Sequence, residues 1–208
     1  MSLYSKELKK LGKLYDNGLF KTAFYKDKIT SRKQLINYDE FKKIPFTYKT
    51  DVRNTSIFER SSTSLKDVYG VFSSSGTTGE KTFYIYNNKD KKVHEEFVRT
   101  FFTELDVSEE DIGAVMAPVD TGVMAHTMMW QFSTVGAGYV NCPLPTPENI
   151  IDTINKVPVT VVATRPSIAS CVAYSPIIQK MAANSKVNKL LTGGGFLSEE
   201  RRKLLESS

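Results

Sequence analysis

An α/β fold with a mostly parallel sheet and helices on both faces is predicted by two features of this sequence. Beyond Asp67, short runs of β-branched and apolar residues alternate with helical patterns of ten residues or more. Glycine- or proline-bearing turns then stand at the junctions, as in Gly193-Gly194-Gly195 and at Pro147 and Pro166. Such alternation argues for βαβ units, and right-handed crossovers place helices on the two faces of the sheet.

The elements follow in order. Residues 3–20 read as a basic amphipathic helix whose apolar stripe is Leu3, Leu8, Leu11, Leu14 and Tyr15. Residues 21–66 read as a loosely structured cap ending in the linker Ser61-Ser-Thr-Ser64. The chain thus divides into a helical cap and linker, 1–66, and an α/β domain, 67–208. Strands at 67–72 and 82–86 flank a polar loop. A helix over 89–105 places Val93, Phe97, Phe101 and Leu105 on one stripe with Val98 and Phe102 beside it; Asn88 suits its N-cap and Asp90 its first turn. Strand 112–117, helix 124–136, strand 138–142, helix 147–156, strand 159–164, helix 166–183, strand 188–192 and helix 198–206 complete the pattern. Pro147 and Pro166 fit the first turn of their helices, where a missing N–H is harmless. Ser198, Glu199 and Glu200 followed by Arg201, Arg202 and Lys203 complement the last helix's dipole.

Composition narrows the class. The 208 residues, 40% hydrophobic and 25% charged, suffice for one large or two small soluble domains. No segment approaches the ~18 consecutive apolar residues of a membrane span. The N-terminus, with Lys6, Glu7, Lys9 and Lys10, is no secretory signal. Cys142 and Cys171 have neither metal-ligand spacing nor the makings of a disulfide framework, so a cytoplasmic location is expected. Residues 1–66 hold 15 Lys/Arg against 7 Asp/Glu, yet these cations are interspersed with acids and apolar positions. That describes a solvated helical face, and no nucleic-acid partner is expected.

The loop Phe72-Ser-Ser-Ser-Gly-Thr-Thr-Gly-Glu-Lys-Thr82 carries the most chemistry. Glycines allow successive N–H groups to converge, while hydroxyls and an ammonium add donors, a concave array suited to a polyphosphate. A Walker P-loop is excluded by spacing, because Lys81 falls where the second glycine belongs. A Ser/Gly/Thr-rich turn without function has a similar composition. The order Ser-Ser-Gly-Thr-Thr-Gly-x-Lys resembles the phosphate loop of the adenylate-forming superfamily, which includes acyl-CoA ligases.

Three further segments extend that resemblance over about residues 40–206. Phe41-Lys-Lys-Ile-Pro-Phe-Thr-Tyr-Lys-Thr-Asp-Val-Arg53 resembles a segment of phenylacetate–CoA ligase-like enzymes, Ala163-Thr-Arg-Pro-Ser167 their Thr-Pro-Ser helix start, and Thr192-Gly-Gly-Gly-Phe196 their adenine loop. The resemblance implies the N-terminal, incomplete part of an enzyme that uses ATP and Mg2+ to activate a carboxylic acid as acyl-adenylate. The acyl group then passes to CoA or another thiol. Ser73, Ser74, Ser75, Gly76, Thr77, Thr78, Gly79 and Lys81 would take the phosphates, and Gly193, Gly194 and Gly195 the adenine.

Within 119–130, the resemblance places His126 near the carboxylate. Gly122, Met128 and Trp130 are candidates for the acid pocket, although a core role explains the Met/Trp cluster and a satisfied core histidine explains His126 equally. His94 sits on the polar face of its helix and receives no role. The triple glycine replaces the family's Gly-Gly-Glu, so its acid is absent, and Glu80 stands where many members have proline. The family's magnesium-binding Glu, ribose-binding Asp and C-terminal catalytic Lys belong to later motifs. The chain alone is therefore expected to be inactive and, with an exposed sheet edge, to form a homodimer. Thr192-Gly-Gly-Gly before an aromatic also resembles acyl-protein synthetases, which acylate a cysteine. A non-catalytic nucleotide-binding or interaction module is the alternative of another class.

Overall fold

The computed structural model describes residues 4–74, 80–119, 123–142, 146–176 and 185–207. The chain forms two units that divide between Lys91 and Lys92. The first opens with α1 (Ser5–Asp16) and a 3₁₀ turn at Leu19–Lys21. Four short helices follow: α2 (Lys33–Ile36), α3 (Tyr38–Phe41), α4 (Lys49–Arg53) and α5 (Ile57–Arg60). The cap is more regular than its sequence suggests because side chains close its helix ends. Asn37 Oδ1 accepts from the backbone N–H groups of Asp39 and Glu40, and Ser56 and Glu59 form a reciprocal capping box. Leu8, Ile29 and Leu35 are its buried apolar anchors. At Gly12 a Cβ would lie 2.7 Å from Ile36 Cγ2, so α1 approaches α2 closely there.

Two antiparallel strands, β1 (Val68–Ser73) and β2 (Phe83–Asn87), pair with Ser73 opposite Phe83. This hairpin, assigned by sequence to the α/β domain, lies in the first unit. Helix α6 (Asn88–Glu104) follows β2 directly. Its cap is Asn87 rather than Asn88: Asn87 Oδ1 accepts from the N–H groups of Lys89 and Asp90, and Asp90 returns a bond to Asn87 N–H. The buried face of α6 is also rotated from the predicted stripe. Val98 and Phe102 are fully buried, whereas Val93 and Phe97 are 67% and 62% exposed. The apolar arc is wider than one packing stripe, and its flank stays in water, with Phe97 and Phe101 stacked ring on ring at 5.8 Å.

In the second unit β3 (Ile112–Met116), β4 (Gly138–Asn141), β5 (Val161–Thr164) and β6 (Lys189–Thr192) form an all-parallel sheet in the order β4-β3-β5-β6. The crossovers run through α7 (Val123–Thr134), α8 (Pro147–Lys156) and α9 (Pro166–Ala173), and α10 (Glu199–Glu206) lies beside α9. One face of the sheet buries Val115, Val161 and Ala163 against Val98 and Phe102 of α6 and Ala125 and Phe132 of α7. The other buries Ala114 and Met116 against Ile150 and Ile154 of α8, with Ile168 of α9 beside them. This two-sided burial is the predicted architecture, and the near-continuous apolar strands suit it.

Two contacts set the sheet. At Gly113 a Cβ would stand 2.3 Å from Phe132 Cζ, so the aromatic ring lies directly on the strand backbone. At the amino end, buried Asp111 accepts from Thr160 Oγ1 at 2.6 Å, Ser108 N–H at 3.0 Å and Lys189 Nζ at 3.1 Å. Burial alone would raise its pKa, but the bonds from Thr160, Ser108 and Lys189 outweigh that and hold it below the ordinary 3.8.

Gly113→Ala is expected to destabilise the chain by about 1–3 kcal/mol through overpacking against Phe132, read from urea unfolding. A depressed carboxyl pKa contributes stability that is full above the unfolded value and lost as pH falls through the folded one. Asp111→Asn should therefore lower stability at pH 7, and its deficit relative to the parent should shrink as pH falls below 3.8. A pH-independent deficit in urea titrations would contradict this.

Candidate functional site

The hairpin loop begins at a defined neck. Ser74 N–H donates to Thr82 O at 2.9 Å, and Thr82 N–H donates to Ser74 Oγ at 3.0 Å. Below the neck, Phe72 packs among Tyr84 and Tyr86, with ring centroids 6.3 and 5.4 Å away. Ser73 is buried, Lys81 is exposed, and Thr82 Oγ1 is buried with no hydrogen-bond partner among the described residues. Ser75, Gly76, Thr77, Thr78 and Gly79 lie outside the described residues. Thus Ser73, Ser74 and Lys81 are brought to one end of the hairpin, and Thr82 joins them. Lys81 also borders a cavity of about 340 Å³ that reaches Arg53 of α4 and Arg60 of α5. Arg53 ends the segment 41–53 that carries part of the resemblance and Arg60 belongs to no motif; the fold of the cap carries both to Lys81.

In the second unit the sheet has a topological switch. The chain leaves β3 toward β4 on one side and leaves β5 toward β6 on the other, so the switch point lies beyond the carboxyl ends of β3 and β5. Open α/β sheets bind ligands at such a point. There Thr164 donates from Oγ1 to Met116 O at 3.0 Å. Gly193 N–H donates to Thr164 O, which continues the strand pairing into the triple glycine. Gly194 has φ +76°, a conformation that side chains rarely adopt, and a Cβ there or at Gly193 would meet nothing within 4 Å. Gly195 lies against the Pro166 ring, its Cβ position 3.5 Å from Cδ. The glycine turn therefore presents open backbone beside the start of α9. Phe196, the aromatic that closes this motif, follows and is 84% exposed.

Helix α7 divides its candidates. His126 is exposed, while Met128 is half-buried against the core shared with α6. Trp130 is buried, donates from Nε1 to Glu95 at 3.2 Å and lies on the His94 ring at 4.6 Å. His94 is therefore part of the α6–α7 seam rather than a solvated polar face. Burial there pushes its pKa down, with Glu95 opposing more weakly. These contacts favour the core role for Trp130 and Met128. Gly122 lies outside the described residues. Among the described residues no cluster of three or more His, Cys, Asp or Glu could hold a metal, and no helix is long and apolar enough to cross a membrane.

No family model matches the chain, and no curated protein does. Solved structures do. An open conformation of 2-hydroxyisobutyryl-CoA ligase, in complex with 2-HIB-AMP and CoA, superposes with a TM-score of 0.74 at 15% identity, over 97% of this chain and 50% of that one. The same ligase in its thioesterification state gives 0.66 at 17% identity, over 88% and 40%. The inhibitor-bound N-terminal domain of FACL13 from Mycobacterium tuberculosis gives 0.55 at 17% identity, over 76% and 39%. The chain thus has the fold of the N-terminal domain of adenylate-forming acyl-CoA ligases, and it spans half or less of the length of these neighbours.

Trp130→Phe removes part of a buried ring and leaves the partly buried Glu95 without its indole donor. It should lower stability by about 1–3 kcal/mol in denaturant unfolding. An unchanged midpoint would mean that the seam does not depend on this bond.

Proposed function

We propose that the chain is the nucleotide-binding portion of an ATP-dependent carboxylate–thiol ligase of the phenylacetate–CoA ligase-like group. The observation that carries this reading is the closed neck Ser74–Thr82, which sets a Ser/Thr/Gly loop and Lys81 at the end of a rigid hairpin. The fold shared with acyl-CoA ligases supports it. In the reaction a carboxylate oxygen attacks the α-phosphorus of ATP, the bond to the β-phosphate bridging oxygen breaks, and pyrophosphate leaves. A thiolate then attacks the acyl carbon, and AMP departs with the former carboxylate oxygen.

The chain's own residues position and neutralise charge. Ser73, Ser74, Ser75, Thr77 and Thr78 offer hydroxyl and backbone donors to the phosphates, Gly76 and Gly79 permit the turn, and Lys81 brings a cation to the β- and γ-phosphates. Gly193, Gly194 and Gly195 admit the flat adenine close to the backbone. His126, with Gly122 before it, orients the acid or the attacking thiol. Magnesium takes phosphate oxygens and one or two carboxylates. Among the described residues no group of three or more His, Cys, Asp or Glu could hold it, and no residue of this chain is assigned to it.

Lys81→Ala should weaken ATP binding by about tenfold or more and leave AMP binding nearly unchanged, as read by calorimetry. Equal losses for both nucleotides would remove the β/γ-phosphate role. The acid is tested by ATP–pyrophosphate exchange with a panel of aryl and fatty acids, in a form that carries the later motifs. Exchange that never depends on an added acid, with ATP binding retained, would identify a non-catalytic nucleotide-binding module instead. Acylation of a protein cysteine in place of CoA would identify the acyl-protein synthetase-like reaction.

A further inference from the structure

The cavity beside Lys81 has a one-signed lining. Arg53 at the end of α4, Arg60 at the end of α5 and Lys81 at the loop base border it together with Asn54, Thr55 and Ser56. No acidic residue is among the described residues that line it. Asp51 and Glu59, beside the two arginines in sequence, are engaged elsewhere, and Glu80, next to Lys81, is exposed and is not among the described residues that line the cavity. Asp51 accepts from Lys28 Nζ at 3.3 Å and Tyr48 N–H at 3.0 Å, and Glu59 accepts from Ser56 N–H at 3.1 Å.

Arg60 is held in place by the backbone. Its Nε donates to Thr55 O at 3.2 Å and its Nη2 to Phe83 O at 2.9 Å, and a guanidinium with five N–H groups has donors to spare. Phe83 is the first residue of β2, so the same bonds tie α5 to the hairpin two residues beyond Lys81. A guanidinium held by two backbone carbonyls and an exposed ammonium on one cavity wall suit an anion with several oxygens, and a volume of about 340 Å³ admits a small one.

We propose that this cavity is a pyrophosphate site, which takes the β- and γ-phosphates of ATP and then the pyrophosphate released. The proposal rests on the ligase reading given above, and it assigns Arg53 and Arg60 of the N-terminal helices to the phosphate tail that the loop alone was expected to hold. It also explains why helices remote in sequence from the loop are tied to the hairpin by a guanidinium. The competing source of the same chemistry is the 3′-phosphate of CoA.

Calorimetry with inorganic pyrophosphate, and separately with 3′,5′-ADP, tests it on the chain as it stands. Arg53→Gln should weaken pyrophosphate binding by about tenfold, the loss of one charge-assisted contact. Arg60→Gln should do the same, and circular dichroism checks that it remains folded, since Arg60 also ties α5 to β2. Lys43→Gln removes an exposed cation paired with Glu40, away from the cavity, and should change binding by less than about twofold. Undiminished binding in folded Arg53→Gln, an equal loss in Lys43→Gln, or tighter binding of 3′,5′-ADP than of pyrophosphate would each overturn the assignment. Pyrophosphate binding needs neither adenine nor an acid. Failure of the ligase reading would appear instead as absent acid-dependent exchange, whatever pyrophosphate does.

Discussion

Parallel strands have no hairpin turn to set their register, so something else must align them. In this chain that role falls to Asp111. It stands one residue before β3 and joins Thr160, one residue before β5, to Lys189, the first residue of β6. A carboxylate buried without such partners would be strongly unfavourable, and the three donors together make one alignment of the strands preferable to a slipped one. Its effect reaches the far end of the sheet. With the amino ends level, Met116 pairs with Thr164 and Thr164 with Thr192, so the loops after β3, β5 and β6 start from a common height. The level start of those loops at the switch point is a consequence of that alignment.

Much of this architecture was legible in the sequence. Each predicted strand beyond Asp67 is present with ends shifted by a residue or two, and the predicted helices are present with similar shifts, whereas the four short helices between Lys33 and Arg60 lie in a segment read as loosely structured. Periodicity conveys such elements because it is a local property. Where the reading failed, the deciding fact was long-range. The face of α6 was misplaced because six apolar residues cover a wide arc, and only the position of the sheet shows that Val98 and Phe102 lie at its centre. His94 looked solvated for the same reason: its partner Trp130 is 36 positions away. Gly113 gave no signal of its own, since its need for a bare backbone comes from Phe132.

The candidate site was legible in a different way. Loop composition marked Ser73, Ser74 and Lys81 because hydroxyls, glycines and a cation crowd into a short segment. Arg60 carries no such local mark, and Arg53 only closes the segment 41–53, with nothing there that points to a phosphate. They become partners of Lys81 only through the capped helices of the first unit, where Asp51 and Glu59 have been drawn into backbone caps and no acid is among the described residues that line the cavity. Helix capping and ligand electrostatics are thereby linked: the acids that end the helices are the acids withheld from the cavity.

The seam between α6 and α7 has a spectroscopic consequence. Trp130 is the chain's single tryptophan, so its emission reports one place in the molecule. Burial shields the indole from water and shifts that emission to the blue, while a protonated imidazole in ring contact is an efficient quencher. Because burial holds His94 below its ordinary pKa of 6.5, quenching by the protonated ring sets in at a lower pH than beside an exposed histidine. The fluorescence of the unlabelled protein is thus a built-in proton gauge for one histidine and a monitor of whether two helices remain seated.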